Sequence, residues 1–191
     1  MRNGKSTAVP LAVTTIAILI FLGAHSAAAQ TTAPLIASPT DTPPALAVPA
    51  GLELVLSARG AGSQIYTCKA DTDGIFSWTL KAPEAELRDP NNDDKLIGQH
   101  FAGPTWKLDD GSKVTGKAVA HVDSPDAASI PWLLVNVISH AGKGRLTNVT
   151  TIQRLHTHGG KPPAASCDES HKNAETKSSY TADYYFYAPK P

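Results

Sequence analysis

Charge of one sign, cysteine, aromatic residues and long apolar runs are all scarce in this chain of 191 residues. Its 17 Lys and Arg residues face 17 Asp and Glu residues. The basic residues are scattered rather than striped, so neither nucleic acid nor an anionic membrane surface is an expected partner. Two cysteines without C-x-x-C spacing argue against a thiolate metal centre. Beyond the N-terminal segment there is no run of about 18 apolar residues, so no membrane span is expected in the mature chain. The chemistry-bearing motifs are missing too: no G-x-S-x-G elbow, no H-E-x-x-H, no G-x-x-x-x-G-K-[ST] loop and no G-x-G-x-x-G fingerprint. The acidic turn at Asp71 lacks a carboxylate at the twelfth position of a calcium loop, where Ala82 stands. No cofactor is expected.

What the chain does have begins at its start. Arg2 and Lys5 precede an uncharged, mostly apolar run from Ala8 to Gly23, followed by the small triplet Ala27-Ala28-Ala29. This is the pattern of a secretory signal peptide, with cleavage after Ala29 and a mature chain that is secreted or periplasmic. Removing 29 of 191 residues leaves 162, a length that suits one domain. In an oxidising compartment Cys68 and Cys167 are expected to form a disulfide. Residues 30–50 carry prolines at 34, 39, 43, 44 and 49, the composition of a flexible leader ordered, if at all, near its end. Residues 51–191 form the single β-rich domain.

From Leu52 onward apolar residues recur with a period near two, interrupted at short intervals by turn residues. Strands are expected at Leu52–Ser57, Gln64–Lys69, Ile75–Lys81, Lys113–Val122, Pro131–His140, Val149–Thr157 and Thr181–Ala188, with shorter ones at Leu96–Phe101 and Thr105–Leu108. Asp73-Gly74 and Asp110-Gly111 are hairpin signals. Pro83–Leu87 reads as a helical turn, with Pro in the first turn and acidic residues after it. Pro131–His140 is apolar on both faces and reads as a central strand buried on both sides. The fold class is all-β: a β-sandwich or a partly closed barrel of about seven to nine mainly antiparallel strands.

Several short blocks follow one another in order: QIYTC (64–68), HFAGPTW (100–106), DGSKVTG (110–116), IPWLLV (130–135), TIQR (151–154), GG (159–160) and YTADYYFY (180–187). Together they resemble a family of secreted bacterial and fungal proteins catalogued as a domain of unknown function, over about residues 50–188. The resemblance implies one exported, β-rich domain. It also places His100, Trp106, Trp132, Gln153 and Arg154 in the shared pattern and leaves His156 and His158 outside it.

Three sets of residues are candidates for chemistry. His156 and His158, two apart on a strand, point the same way and suit a metal if a third ligand joins them; the alternative is two exposed strand-end histidines. His100 beside Gly103-Pro104 and Trp106 suits a ligand contact or general base, with Asp109 or Asp110 as an acid partner. Its structural alternative is a histidine hydrogen-bonded to a backbone carbonyl beside a core tryptophan. Gln153 and Arg154 suit a ligand carboxylate or sulfate; otherwise Arg154 packs over an aromatic and pairs with Asp109, Asp110 or Asp183. The favoured function is a non-enzymatic exported module that binds a small molecule, glycan or protein, or serves the cell envelope structurally. The alternatives are an exported hydrolase with its site around His100 and a metal-binding protein using His156 and His158.

Overall fold

The computed structural model describes residues 37–191 together with Met1, Asn3 and Gly4. The expected signal peptide and its cleavage site after Ala29 lie outside the described residues, apart from those three positions. Eight strands follow: β1 (Leu52–Ala70), β2 (Phe76–Asp89), β3 (Asn92–Phe101), β4 (Thr105–Leu108), β5 (Lys113–Val122), β6 (Trp132–Ala141), β7 (Thr151–Gly159) and β8 (Glu175–Pro189). Each pairs antiparallel with the next, and β8 pairs back with β1, so one sheet closes into a barrel in chain order. Of the two expected architectures, the barrel is the one formed. Closure satisfies the backbone groups that a sheet edge leaves open.

The apolar alternation lines the interior. Leu56, Ala58, Leu87, Ile97, Leu108, Val114, Ile152, Tyr184 and Phe186 are buried in one cluster, while Arg59, Arg88 and their carboxylate partners Asp93 and Glu86 sit on the outer wall. At one end, the β6–β7 connection inserts Leu146 and Val149 into the core. Asp110 anchors that connection, accepting hydrogen bonds from the backbone N–H and Nε of Arg145 at 2.8 and 3.2 Å. Burial disfavours the Asp110 carboxylate, but those bonds and two from Ser112 prevail and hold its pKa far below the carboxylate range. At the other end, Cys68 on β1 is joined to Cys167 in the β7–β8 connection, with Cα atoms 5.5 Å apart and a sequence separation of 99.

Three local expectations are corrected. The first two strands are one, because Gly60 and Gly62 serve close approach rather than a turn. A Cβ on Gly60 would lie 2.5 Å from the Tyr184 ring, and one on Gly62 would lie 2.5 Å from the Cα of Ala85. Pro83–Leu87 is strand, not helix: Ala85 and Leu87 are buried while Glu84 and Glu86 face out, so the two-residue period prevails over the Pro-acidic start signal. Pro83 is tolerated because β2 has no partner on its β3 side until Ala85. Finally, β6 is buried on both faces only in its first half. Trp132, Leu134 and Val135 are covered, but Ile138 is 63% exposed because β7 pairs with β6 only as far as Asn136.

The Pro-rich segment, followed from residue 37, crosses the outer wall. Its 3-10 turn at Pro44–Leu46 buries Leu46 completely against Trp132, Leu134 and Leu155. Nε2 of Gln153 donates to the Leu46 carbonyl at 2.7 Å, and the Tyr187 hydroxyl donates to Oε1 of Gln153, also at 2.7 Å. This strap explains why β6 and β7 carry apolar residues outside as well as inside.

Candidate functional site

The short β3–β4 hairpin decides where the wall opens. It turns back between Phe101 and Thr105, and pairing of β4 with β5 ends at Thr115. The first half of β2 and the second half of β5 therefore face each other with no strand between them. The resulting cleft has a volume of about 770 Å³. Leu80–Pro83 form one side, Gly116–His121 the other, and Gln64, His100, Leu133 and Arg154 lie at its inner end.

Arg154 stands opposite Leu133 on β6 and Tyr184 on β8, so its side chain shares the inward parity of the core. Its Nη2 donates to the Pro131 carbonyl at 2.8 Å, while Nε is buried without a protein partner. The three aspartates proposed to pair with it are engaged elsewhere. Asp109 and Asp110 bind Arg145, and Asp183 binds His156, with Arg59 farther away at 3.8 Å. The expected Arg154–aspartate pair is thus replaced by a carbonyl contact, and among the described residues no carboxylate forms an ion pair with this guanidinium.

The groups around it are neutral. Burial pushes the phenols of Tyr66, Tyr180 and Tyr184 upward, although the charge of Arg154 pulls each one down. The Tyr180 and Tyr184 hydroxyls share a hydrogen bond at 3.1 Å. Burial and the Arg154 charge lower the His100 pKa to about 3, against the opposing hydrogen bond to Thr105, so its imidazole is uncharged at neutral pH. Nδ1 donates to the Thr105 carbonyl at 2.9 Å, leaving Nε2 as the acceptor nitrogen. Trp106 stacks behind His100, with centroids 4.3 Å apart and planes inclined by 17°. Gln64 is 2% exposed and its Nε2 has no partner.

The structure thus brings His100 and Arg154 to one cleft, with Trp106 as the support behind the imidazole. Gln153 belongs to the outer wall, where it holds the strap. His100 meets the Thr105 carbonyl, while its suggested acid partners, Asp109 and Asp110, hold the β6–β7 connection. His156 is also outside. A break in register between Leu155 and His158 gives it φ +48° and turns it between Asp183, at 2.9 Å, and Asp41 of the strap, at 3.0 Å. His158 is exposed and lines a small pocket with Arg59, His156 and Asp183. Among the described residues no group of three or more His, Cys, Asp and Glu side chains is arranged to hold a metal. Gln64 is the site residue that sequence reasoning missed. Its signal was a polar side chain at the same parity as Ala58 and Tyr66.

The blocks that carry the family resemblance build this architecture. QIYTC supplies Gln64, HFAGPTW supplies His100 and the hairpin that opens the cleft, and TIQR supplies Arg154. Among the described residues no helix is long and apolar enough to cross a membrane. No curated protein and no solved structure matches the chain. A family model described as "Protein of unknown function (DUF3455)" matches residues 49–188, from the end of the strap through β8. The chain therefore belongs to the DUF3455 family of proteins of unknown function.

Proposed function

We propose that this domain is an exported, non-enzymatic binding protein that takes a small molecule into its side cleft. Arg154 carries the reading: a guanidinium turned into the barrel, with its Nε buried and unpartnered, at the inner end of an open cleft of about 770 Å³. A structural arginine is normally paired or fully hydrogen-bonded when its donors are buried. Concave sites of this size, apolar with a few convergent polar groups, suit small ligands better than a glycan chain or a flat protein surface. The N-terminal signal pattern and the disulfide support export. The neutral His100, hydrogen-bonded to a carbonyl rather than a carboxylate, favours binding over hydrolysis.

Ala118 lines the cleft and is itself exposed, so Ala118→Trp places a large side chain in the space. Isothermal titration with an apolar fluorescent probe is expected to give one site per chain in the wild type and none in Ala118→Trp. Equal binding by both proteins would remove the cleft as the site.

A further inference from the structure

We infer that the ligand of the cleft is an amphiphilic carboxylic acid, its carboxylate held by Arg154 and Gln64 and its apolar body lying toward the cleft mouth. This rests on the binding reading above and names the class of ligand. Two donors without a protein partner, Nε of Arg154 and the amide Nε2 of Gln64, belong to side chains that line the inner end. Both donors suit an oxygen acceptor, and the guanidinium adds the one formal positive charge there. The tyrosines and His100 are neutral at pH 7, so nothing on the protein balances that charge. A carboxylate supplies one negative charge and two acceptor oxygens in the plane that a guanidinium fork matches. A phosphate dianion would bring twice the charge to the inner end, where Arg154 is the one cation, Lys81 and Lys117 lining the cleft along its sides.

The mouth has the opposite character. Leu80, Val119 and Ile138 are each more than half exposed and border the same opening. Large apolar side chains grouped around a cavity mark a surface that an apolar partner covers. Lys117 at the rim adds positive potential that favours approach of an anion. A carboxylate head and an apolar body therefore match the two ends of one cleft, whereas a cationic or fully polar ligand matches neither.

A charge series on one chain length tests this with the full mature protein: octanoate, 1-octanol and octylammonium, titrated calorimetrically at pH 7.5. Octanoate is expected to bind at least about tenfold more tightly than 1-octanol, since a charge-assisted pair with Arg154 is lost in the alcohol, and octylammonium is expected not to bind. In Arg154→Gln, octanoate and 1-octanol are expected to bind alike. If the alcohol equals the acid in the wild type, the carboxylate inference is wrong while the cleft remains a binding site. If none of the three binds, the binding reading itself falls. The wild-type series decides both points even if the Arg154 variant fails to fold.

Discussion

His100 lies flat against Trp106, with ring centroids 4.3 Å apart, and its Nδ1–H is committed to the Thr105 carbonyl. The pair fills the place where the β3–β4 hairpin meets the core, and a protonated imidazole there would face the Arg154 charge. Because the folded pKa is lowered to about 3, the unfolded chain takes up the proton first, near pH 6.5. The contribution of His100 to stability is therefore complete above about pH 6.5 and declines as pH falls toward 3. Urea denaturation at pH 7.5 and 4.5 checks this. His100→Asn, which can keep the bond to Thr105, should cost about 1–3 kcal/mol at pH 7.5 and lose less than the wild type between the two pH values. Parallel losses in both proteins would show that His100 does not carry the acid limb.

The strap is expected to respond to pH in the opposite sense. Burial lowers the His156 pKa, but hydrogen bonds and charges from Asp183 and Asp41 outweigh it and raise the net value. Its contribution is present below about pH 6.5 and is lost as pH rises through the elevated folded value. Amide exchange across residues 41–48, corrected for the intrinsic pH effect, should show weaker protection at pH 9 than at pH 6. In Asp41→Asn the difference should shrink. Protection that is equal at both pH values in the wild type would remove His156 as the clamp.

Gly60 faces the Tyr184 ring, and an added Cβ would come within 2.5 Å of it. Gly60→Ala should therefore destabilise the barrel by about 1–3 kcal/mol through overpacking, measured by chemical denaturation. Gly74, at φ +78° in an open turn with nothing within 4 Å, is a useful comparison: substitution there strains the backbone without touching the core. An unchanged midpoint for Gly60→Ala would mean that Tyr184 has room to move.

The Cys68–Cys167 bridge closes the long β7–β8 connection onto β1, close to the Trp78 indole bond to the Ala165 carbonyl at 2.9 Å. On the chain-entropy model, a closed loop of this length stabilises the fold by about 4–5 kcal/mol. The Cys68→Ser, Cys167→Ser double variant should lose stability of that order. It should also be cut first within residues 160–174 under limited proteolysis. Early cutting elsewhere would show that the bridge does not restrain this connection.

Strand positions were legible in the sequence because burial on one face imposes a two-residue period, and Thr105–Leu108 and Lys113–Val122 came out with the same bounds in the structure. The misreadings share a cause: local signals were overruled by tertiary packing. Gly60 and Gly62 look like a break until Tyr184 and Ala85 are seen against them, and Pro83 looks like a helix start until the missing β3 partner leaves it a permissive edge. Strand parity was enough to put Gln153 and Arg154 on opposite faces. Which face was inside depended on a strap whose docking residue, Leu46, sits in a proline-rich stretch. The unpaired state of Arg154 was not legible, because it depends on where Asp109, Asp110 and Asp183 find their partners in three dimensions.

The central claim is that Arg154 serves a ligand rather than the fold, and ligand-free equilibrium denaturation of Arg154→Met tests it most directly. The guanidinium has a hydrogen bond to the Pro131 carbonyl, an interaction with the Tyr184 hydroxyl and no carboxylate partner among the described residues, and removing an unbalanced charge from the interior offsets the loss of those contacts. Stability is therefore expected to stay within about 1 kcal/mol of the wild type, with octanoate no longer raising it. A loss of about 3–5 kcal/mol, the size expected when a buried ion pair is broken, would show that Arg154 holds the barrel together and would contradict the account.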